Sequence, residues 1–277
     1  MNKLPTISIC ASIRNEKKAI EGYIESLADF ADEIILSDTG SADNTVEIIK
    51  SMQEKYPNLI KLVYFDYEGG FHYGEAKNNA LKYASKDYSM ILDADERLGK
   101  DFKSQIKQFL YDEGPVVVSV SRTDDLLTHF IESVERIVKT NKNIRFGIDS
   151  ENKVHERFMH KHDVKIFKPS IWHMQKTTHW LNNSHKKFFY LELEIDRTPK
   201  TKSFIGHALR GLWMFQFKFK KVYFNQKMKK DGKAGFKYAF LRGLYAFLIQ
   251  IFVGLKPDDG YKYWEDKKYK EKMDKLI

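Results

Sequence analysis

A chain of 277 residues with 42% apolar composition can bury a sizeable core, as one large domain or one domain with an appendage, which excludes a chain too polar to fold. Its single cysteine, Cys10, excludes an intramolecular disulfide framework, and no apolar run before Arg14 is long enough for a signal-peptide core, so no export is expected. Of the net charge of +9, residues 200–256 carry +12, with thirteen Lys or Arg against Asp231, so the C-terminal fifth attracts an anionic partner: a membrane surface, a nucleic acid or a phosphorylated substrate.

The run TISICASI, Thr6 to Ile13, is β-branched and of strand length. Ala19, Ile20, Tyr23, Ile24 and Leu27 then follow at helical spacing. EIILS, Glu33 to Ser37, predicts a second strand, and DTGSADNT a turn into a helix from Val46 to Tyr56. IKLVYF, Ile60 to Phe65, predicts a third strand, and Tyr73 to Ala84 a third helix. A fourth strand, Tyr88 to Leu92, stops at Asp93, Ala94, Asp95 and Glu96.

Four alternations of strand and helix in about a hundred residues are the pattern of βαβ units around a mostly parallel sheet, an α/β fold. Such sheets bind ligands beyond the carboxyl ends of their strands, where Asp38 and the Asp93 to Glu96 cluster both fall. A fifth strand is predicted at Val116 to Val120, and shorter strands and loops over Arg136 to His173.

Asp196-Arg197-Thr198-Pro199-Lys200 makes a domain boundary, giving 1–198 as the α/β part and 199–277 as a basic, amphipathic helical part. The thirteen residues between Arg242 and Lys256 are too few to cross a bilayer as a helix. Flanking lysines and interleaved Phe, Tyr and Trp suit a helix lying in the membrane interface, against the plainer alternative of a core helix packed on the domain.

Asp93 and Asp95 flank one alanine, so both side chains can point to one side of a sheet edge, and two hard oxygen ligands suit Mg²⁺ or Mn²⁺. The competing reading is a solvated turn before a helix N-terminus; Glu96 is left out of the chemistry, as a helix-start or orienting residue. His155 and His160 are spaced one residue too far apart for a zinc peptidase motif, and neither Gly69-Gly70 nor Ser37 to Ser41 matches a phosphate loop or nucleophile elbow.

ISICASIRNE, IILSDTGSADNT, YGEAKNNAL and ILDADE together resemble the nucleotide-sugar-binding half of family 2 glycosyltransferases with the GT-A, Rossmann-like fold. RIVKTNKNIRF with KVHERF, IWH and KKDGKAGFKYAFLRGL extend the resemblance, to about Leu255, towards the subgroup with lipopolysaccharide-core β-1,4-glucosyltransferases. The resemblance implies that Ser12, Arg14, Glu16 and Asp38 contact the nucleoside, that Lys77, where the subgroup usually has arginine, reaches the diphosphate, and that Asp93 and Asp95 hold the metal and sugar diphosphate. It further implies His173 as a metal or diphosphate contact.

An inverting transferase needs a base for the acceptor hydroxyl: Glu156 is the candidate, His155 the second choice, with Asp124 or Asp125 competing and pairing of Glu156 with Arg157 as the plainer alternative. The expected activity is metal-dependent transfer of a hexose from a nucleotide diphosphate sugar, a UDP-sugar favoured, to a glycan or glycolipid at the cytoplasmic membrane face, in cell-envelope polysaccharide biosynthesis. A nucleotidyltransferase is the enzymatic alternative, lacking here a glycine-rich basic loop near Ile9 to Glu16. A basic membrane- or nucleic-acid-binding protein is the non-enzymatic one, though no RRM or KH signature points to nucleic acid.

Overall fold

The structure, a computed structural model, describes residues 3–66, 73–124, 131–147, 157–174, 191, 194–195 and 198–256. The chain forms two compact units, one from Met1–Thr123 and Ile131–Met174, the other from Asp124–Phe130 and Gln175–Ile277.

The first unit is built on an eight-stranded sheet. Its N-terminal part runs β1 (Ile7–Ile13), α1 (Ile20–Leu27), β2 (Glu33–Asp38), α2 (Thr45–Lys55), β3 (Ile60–Tyr64), α3 (Tyr73–Lys82) and β4 (Tyr88–Ile91). These are the predicted strands and helices, with ends shifted by at most two residues except in α1, which is shorter than the Arg14 to Phe30 stretch that carries its pattern. β1 lies at the centre of this half, parallel to β2 and to β4, and β3 adds in parallel outside β2.

The second half of the sheet turns antiparallel. After β5 (Glu96–Leu98) and α4 (Lys100–Glu113) come β6 (Val117–Asp124), β7 (Ile131–Lys139), the short pair β8 (Arg145–Phe146) and β9 (Phe158–Met159), and β10 (Val164–His173). The order is β3-β2-β1-β4-β7-β6-β10-β5, with β7 antiparallel to both β4 and β6, and β10 antiparallel to β5. Only six residues separate β6 from β7, too few for the crossover that a parallel pair needs, and strands joined by so short a connection pair antiparallel. The architecture is thus a mixed central sheet flanked by helices.

Helix α4 and strand β5 were not predicted. Glu96 opens β5 and is fully buried, so it is neither a helix start nor part of a solvated turn. The strand-first reason is the pairing of β5 with β10, Leu98 opposite Ile171 and Glu96 opposite His173, which lies about 75 residues away in sequence.

Side chains alternate across β1 and divide the core into two layers. Ile7, Ile9, Ala11 and Ile13 pack with Ile20, Tyr23, Ile24 and Leu27 of α1, Ile49 of α2 and Phe102 and Ile106 of α4. Cys10, with Ile35 and Ile91, faces the other layer, where Ala80 and Leu81 of α3 meet Phe146 and Phe158. Both faces are covered, as the near-continuous apolar runs of β1, β2 and β4 require.

In the second unit, α5 (Phe204–Lys220) is capped by Ser203, whose Oγ accepts from the Gly206 N–H at 3.2 Å. It passes through a π turn, Lys221–Asn225, and a 3₁₀ turn, Met228–Asp231, into α6 (Gly232–Leu255). The two helices form an antiparallel hairpin. Met228–Leu255 is by length and composition sufficient to cross a membrane, but Lys229, Lys230, Lys233, Lys237 and Arg242 limit its uncharged run to Gly243–Leu255.

Candidate active site

Three strand ends converge on one edge of the sheet. β1 ends at Ile13 opposite Asp38 of β2, and on its other side β4 leads into Asp93. The loops after β1 and β2 are laced together: Asn15, in the left-handed region at φ 57°, donates its N–H to Ser41 Oγ and accepts the Ala42 N–H, and Glu16 N–H donates to Thr45 Oγ1. Asn is one of the few non-glycine residues that tolerates this backbone.

Asp38 is buried, and both its carboxylate oxygens are engaged by its own loop, Oδ2 by the N–H groups of Gly40 and Ser41 and Oδ1 by the Ser41 hydroxyl. It therefore shapes the turn as well as standing at the edge. Ser12 is partly buried at the end of β1. Arg14, just beyond, keeps its Nε buried with no hydrogen-bond partner among the described residues, so a guanidinium edge stands ready for an anion there.

The Asp93 to Glu96 turn is held from several sides. Tyr23 of α1 donates its hydroxyl to Leu92 O at 2.7 Å, where burial raises the phenol far above its usual range and keeps it protonated. Glu96 N–H donates to Asp93 O at 2.9 Å, and Asp93 N–H donates back to Glu96 Oε2 at 3.0 Å, closing the turn. Arg97 donates to Ala94 O and Glu96 O and reaches Ala19 O, tying the turn to the start of α1.

Around this frame the charges are layered. Glu96 lies innermost, with Arg136 Nη2 2.6 Å from its Oε1 and Arg122 Nη1 at 3.5 Å. Burial pushes the Glu96 carboxyl up, against the pull of Arg136, and the negative charges of Asp93 and Asp95 push the same way. Asp93 is next, between Lys77 Nζ at 3.2 Å and Arg136 Nη2 at 3.2 Å. Burial alone would raise its carboxyl, but Lys77 and Arg136 outweigh burial and hold it well below the usual carboxylate range.

Asp95 is outermost, its side chain 54% exposed. His173, at the end of β10, sets Nε2 3.1 Å from Asp95 Oδ2, and Met174 N–H donates to Asp95 O at 2.8 Å. An exposed carboxylate beside an imidazole is a donor pair suited to Mn²⁺ or Mg²⁺, with Mn²⁺ the better match to nitrogen. Among the described residues no group of three or more His, Cys, Asp or Glu stands preformed as a cage.

The structure thus brings together Lys77 with Asp93, and Asp95 with His173. Glu156, His155 and Asp125 lie outside the described residues, as does the Asp124 side chain. Sequence reading missed Arg136, Arg122, Arg97 and Tyr23. Arg136 stands in the quoted RIVK run, but only the antiparallel register of β7 on β4, Met90 opposite Ile137, carries it to the end of β4.

The model for glycosyl transferase family 2 matches residues 8–174. The chain is 29% identical over 225 residues to the prophage-derived glycosyltransferase SunS of Bacillus subtilis, covering 75% of this chain and 50% of that protein. It is 26% identical over 254 residues to the lipopolysaccharide core biosynthesis glycosyltransferase LpsC of Rhizobium meliloti, covering 89% and 90%. The chain therefore spans about half the length of the first of these relatives and nearly all of the second. Among solved structures, TarS of S. aureus aligns over 89% of this chain and 55% of its own, with a TM-score of 0.48 and 16% identity.

Proposed function

The chain belongs to glycosyl transferase family 2, and from that premise we propose that it is a metal-dependent, inverting transferase, moving a hexose from a nucleotide diphosphate sugar to a glycan or glycolipid of the cell envelope. The observation that carries this reading is the Asp93 to Glu96 turn, where one carboxylate is clamped by two cations and the next stands exposed beside an imidazole. Residues 1–198 act as donor-binding and catalytic part, and 199–277 as the part that meets acceptor or membrane, on the cytoplasmic side.

In this reading Ser12, Arg14, Glu16 and Asp38 line the nucleoside end, Arg14 with its unpartnered Nε. Asp95 and His173, with Asp93 beside them, hold a divalent cation, Mn²⁺ or Mg²⁺. When bound, the cation neutralises charge on the departing diphosphate without proton transfer. Lys77 and Arg136 add positive charge at fixed positions, which costs little reorganisation as the bond breaks. Glu156 accepts the proton of the acceptor hydroxyl as that oxygen attacks the anomeric carbon, a step in which a positioned base contributes about 10²–10⁴-fold.

Purified protein given a panel of nucleotide sugars should transfer or hydrolyse one of them only with Mn²⁺ or Mg²⁺ present. Asp95→Ala should abolish this, and full activity in that variant would sink the metal assignment. Glu156→Gln should lose transfer while keeping the donor-induced rise in melting temperature. If it transfers at the wild-type rate, the base is another residue. Release of pyrophosphate from a nucleoside triphosphate would instead favour a nucleotidyltransferase.

A further inference from the structure

Along the α5–α6 hairpin small residues fill the seam and a stripe of large apolar residues lies outside, while near the turn Val222 and Met228 are buried with Phe219 and Tyr223 packed against them. The buried residues of α6 are Gly235, Ala239, Gly243, Ala246, Gln250, Val253 and Gly254, and those of α5 are His207 and Gly211. A Cβ on Gly211 would lie 3.2 Å from Phe247 O, and one on Gly243 3.0 Å from Phe215 O, so the two backbones approach too closely for larger side chains between them. His207 Nδ1 and Gln250 Oε1 pair at 3.0 Å within the same seam.

Outside, Ile205, Leu209, Leu212 and Trp213 are 70%, 63%, 54% and 59% exposed. They recur at i, i+4, i+7 and i+8, one stripe along α5. A helix pair that folds against water does the reverse, burying such side chains and exposing its small and polar ones. Small residues at the seam, polar side chains paired across it and apolar bulk outside are the distribution a lipid solvent selects.

Charge completes the pattern. Lys220, Lys221, Lys227, Lys229, Lys230, Lys233 and Lys237 are exposed around the turn between the helices, with Phe224 and Phe236 exposed among them. At the other end of the hairpin stand Lys200, Lys202 and Lys256. Charge at both ends and the short uncharged run of α6 argue against insertion across the bilayer.

We infer that the hairpin is a monotopic lipid-docking module: it lies along an anionic bilayer with the Ile205–Leu209–Leu212–Trp213 stripe in the acyl boundary and the turn lysines on the phospholipid headgroups. This deepens the membrane part of the proposed function and rests on it. The lysines supply long-range attraction that salt weakens, and the stripe supplies the apolar burial that salt leaves in place.

The test is co-sedimentation of the full chain with vesicles of phosphatidylcholine alone or with added phosphatidylglycerol, at low and high salt. The protein should bind the anionic vesicles and prefer them less at high salt. Leu209→Glu with Trp213→Glu should lower the bound fraction about tenfold. Lys229→Gln with Lys230→Gln and Lys233→Gln should weaken the preference for anionic lipid. All these side chains are exposed, so cooperative melting should persist in both variants.

Absence of vesicle binding, or binding unchanged by the Leu209 and Trp213 substitutions, overturns the inference. So does a wild-type dimer that the same substitutions dissociate without any vesicle binding, since a second copy would then cover the stripe. Binding to oligonucleotides and not to vesicles at matched salt overturns it as well. A donor-induced thermal shift in the same preparations reports the transferase reading separately, so failure of either is distinguishable.

Discussion

Arg136 Nη2 bridges Asp93 and the fully buried Glu96, and the pair of contacts makes it the link between the site's inner and outer acids. Arg136→Met removes that charge and leaves a carboxylate buried without its nearest partner, which costs about 3–5 kcal/mol. Urea unfolding should show this loss of stability in the purified variant, together with weakened donor binding. The conservative Arg136→Lys cannot span both carboxylates with one fork and should recover only part of the loss. At the opposite, amino-terminal end of the sheet, Asp87 accepts from the Thr6 N–H and hydroxyl, and these hydrogen bonds hold its carboxyl below the usual range. A carboxyl lowered on folding contributes stability above its unfolded pKa and loses it as pH falls through the folded one. Melting followed below about pH 4 should therefore be less pH-dependent in Asp87→Asn than in the wild type. Lys77 and His173 came only from the resemblance to family 2 glycosyltransferases, whereas Asp38, Asp93 and Asp95 were readable as candidates because acids at strand ends are conspicuous in a chain pattern. Arg136 was not, because nothing in its neighbours along the chain shows which strand it will lie beside.

Strands and helices up to β4 followed from apolar periodicity because β1, β2 and β4 are buried on both faces, edge strand β3 in part and each helix on one, so the pattern repeats locally. β5 escaped because three residues carry too little pattern, and their extended form comes from pairing with β10. α4 does have buried Phe102, Ile106 and Leu110 at helical spacing and a left-handed Gly114 after its end, so its signal was present in the chain and went unread. In the second unit, the turn before α6 depends on Gly235, whose added Cβ would lie 1.8 Å from Met228 O, a backbone atom that cannot step aside cheaply. Gly235→Ala should destabilise the hairpin by at least about 1–3 kcal/mol. Gly232, also in this turn at φ 57° but with open space around its Cβ position, should cost about 1–2 kcal/mol as alanine through backbone strain alone. Melting of the two variants side by side checks the order.

On the scale of the whole molecule, donor binding should raise stability by mass action. At a nucleotide sugar concentration a hundredfold above its Kd the gain is about 2.7 kcal/mol, and the rise in melting temperature should require Mn²⁺ or Mg²⁺ for the matching donor. A rise of equal size without metal would separate donor binding from the Asp95–His173 pair. The sequence by itself determined the βαβ half, the edge at which Asp38, Asp93 and Asp95 arrive, and the concentration of positive charge after residue 200, because periodicity, strand ends and charge are properties of neighbours along the chain. Only the tertiary structure decided that the sheet turns antiparallel beyond β4, that Arg136 and His173 close on the acidic turn, and that α5 wears a stripe of large apolar side chains outside. Those are properties of register and facing, fixed by hydrogen bonds and close packing between residues far apart in sequence.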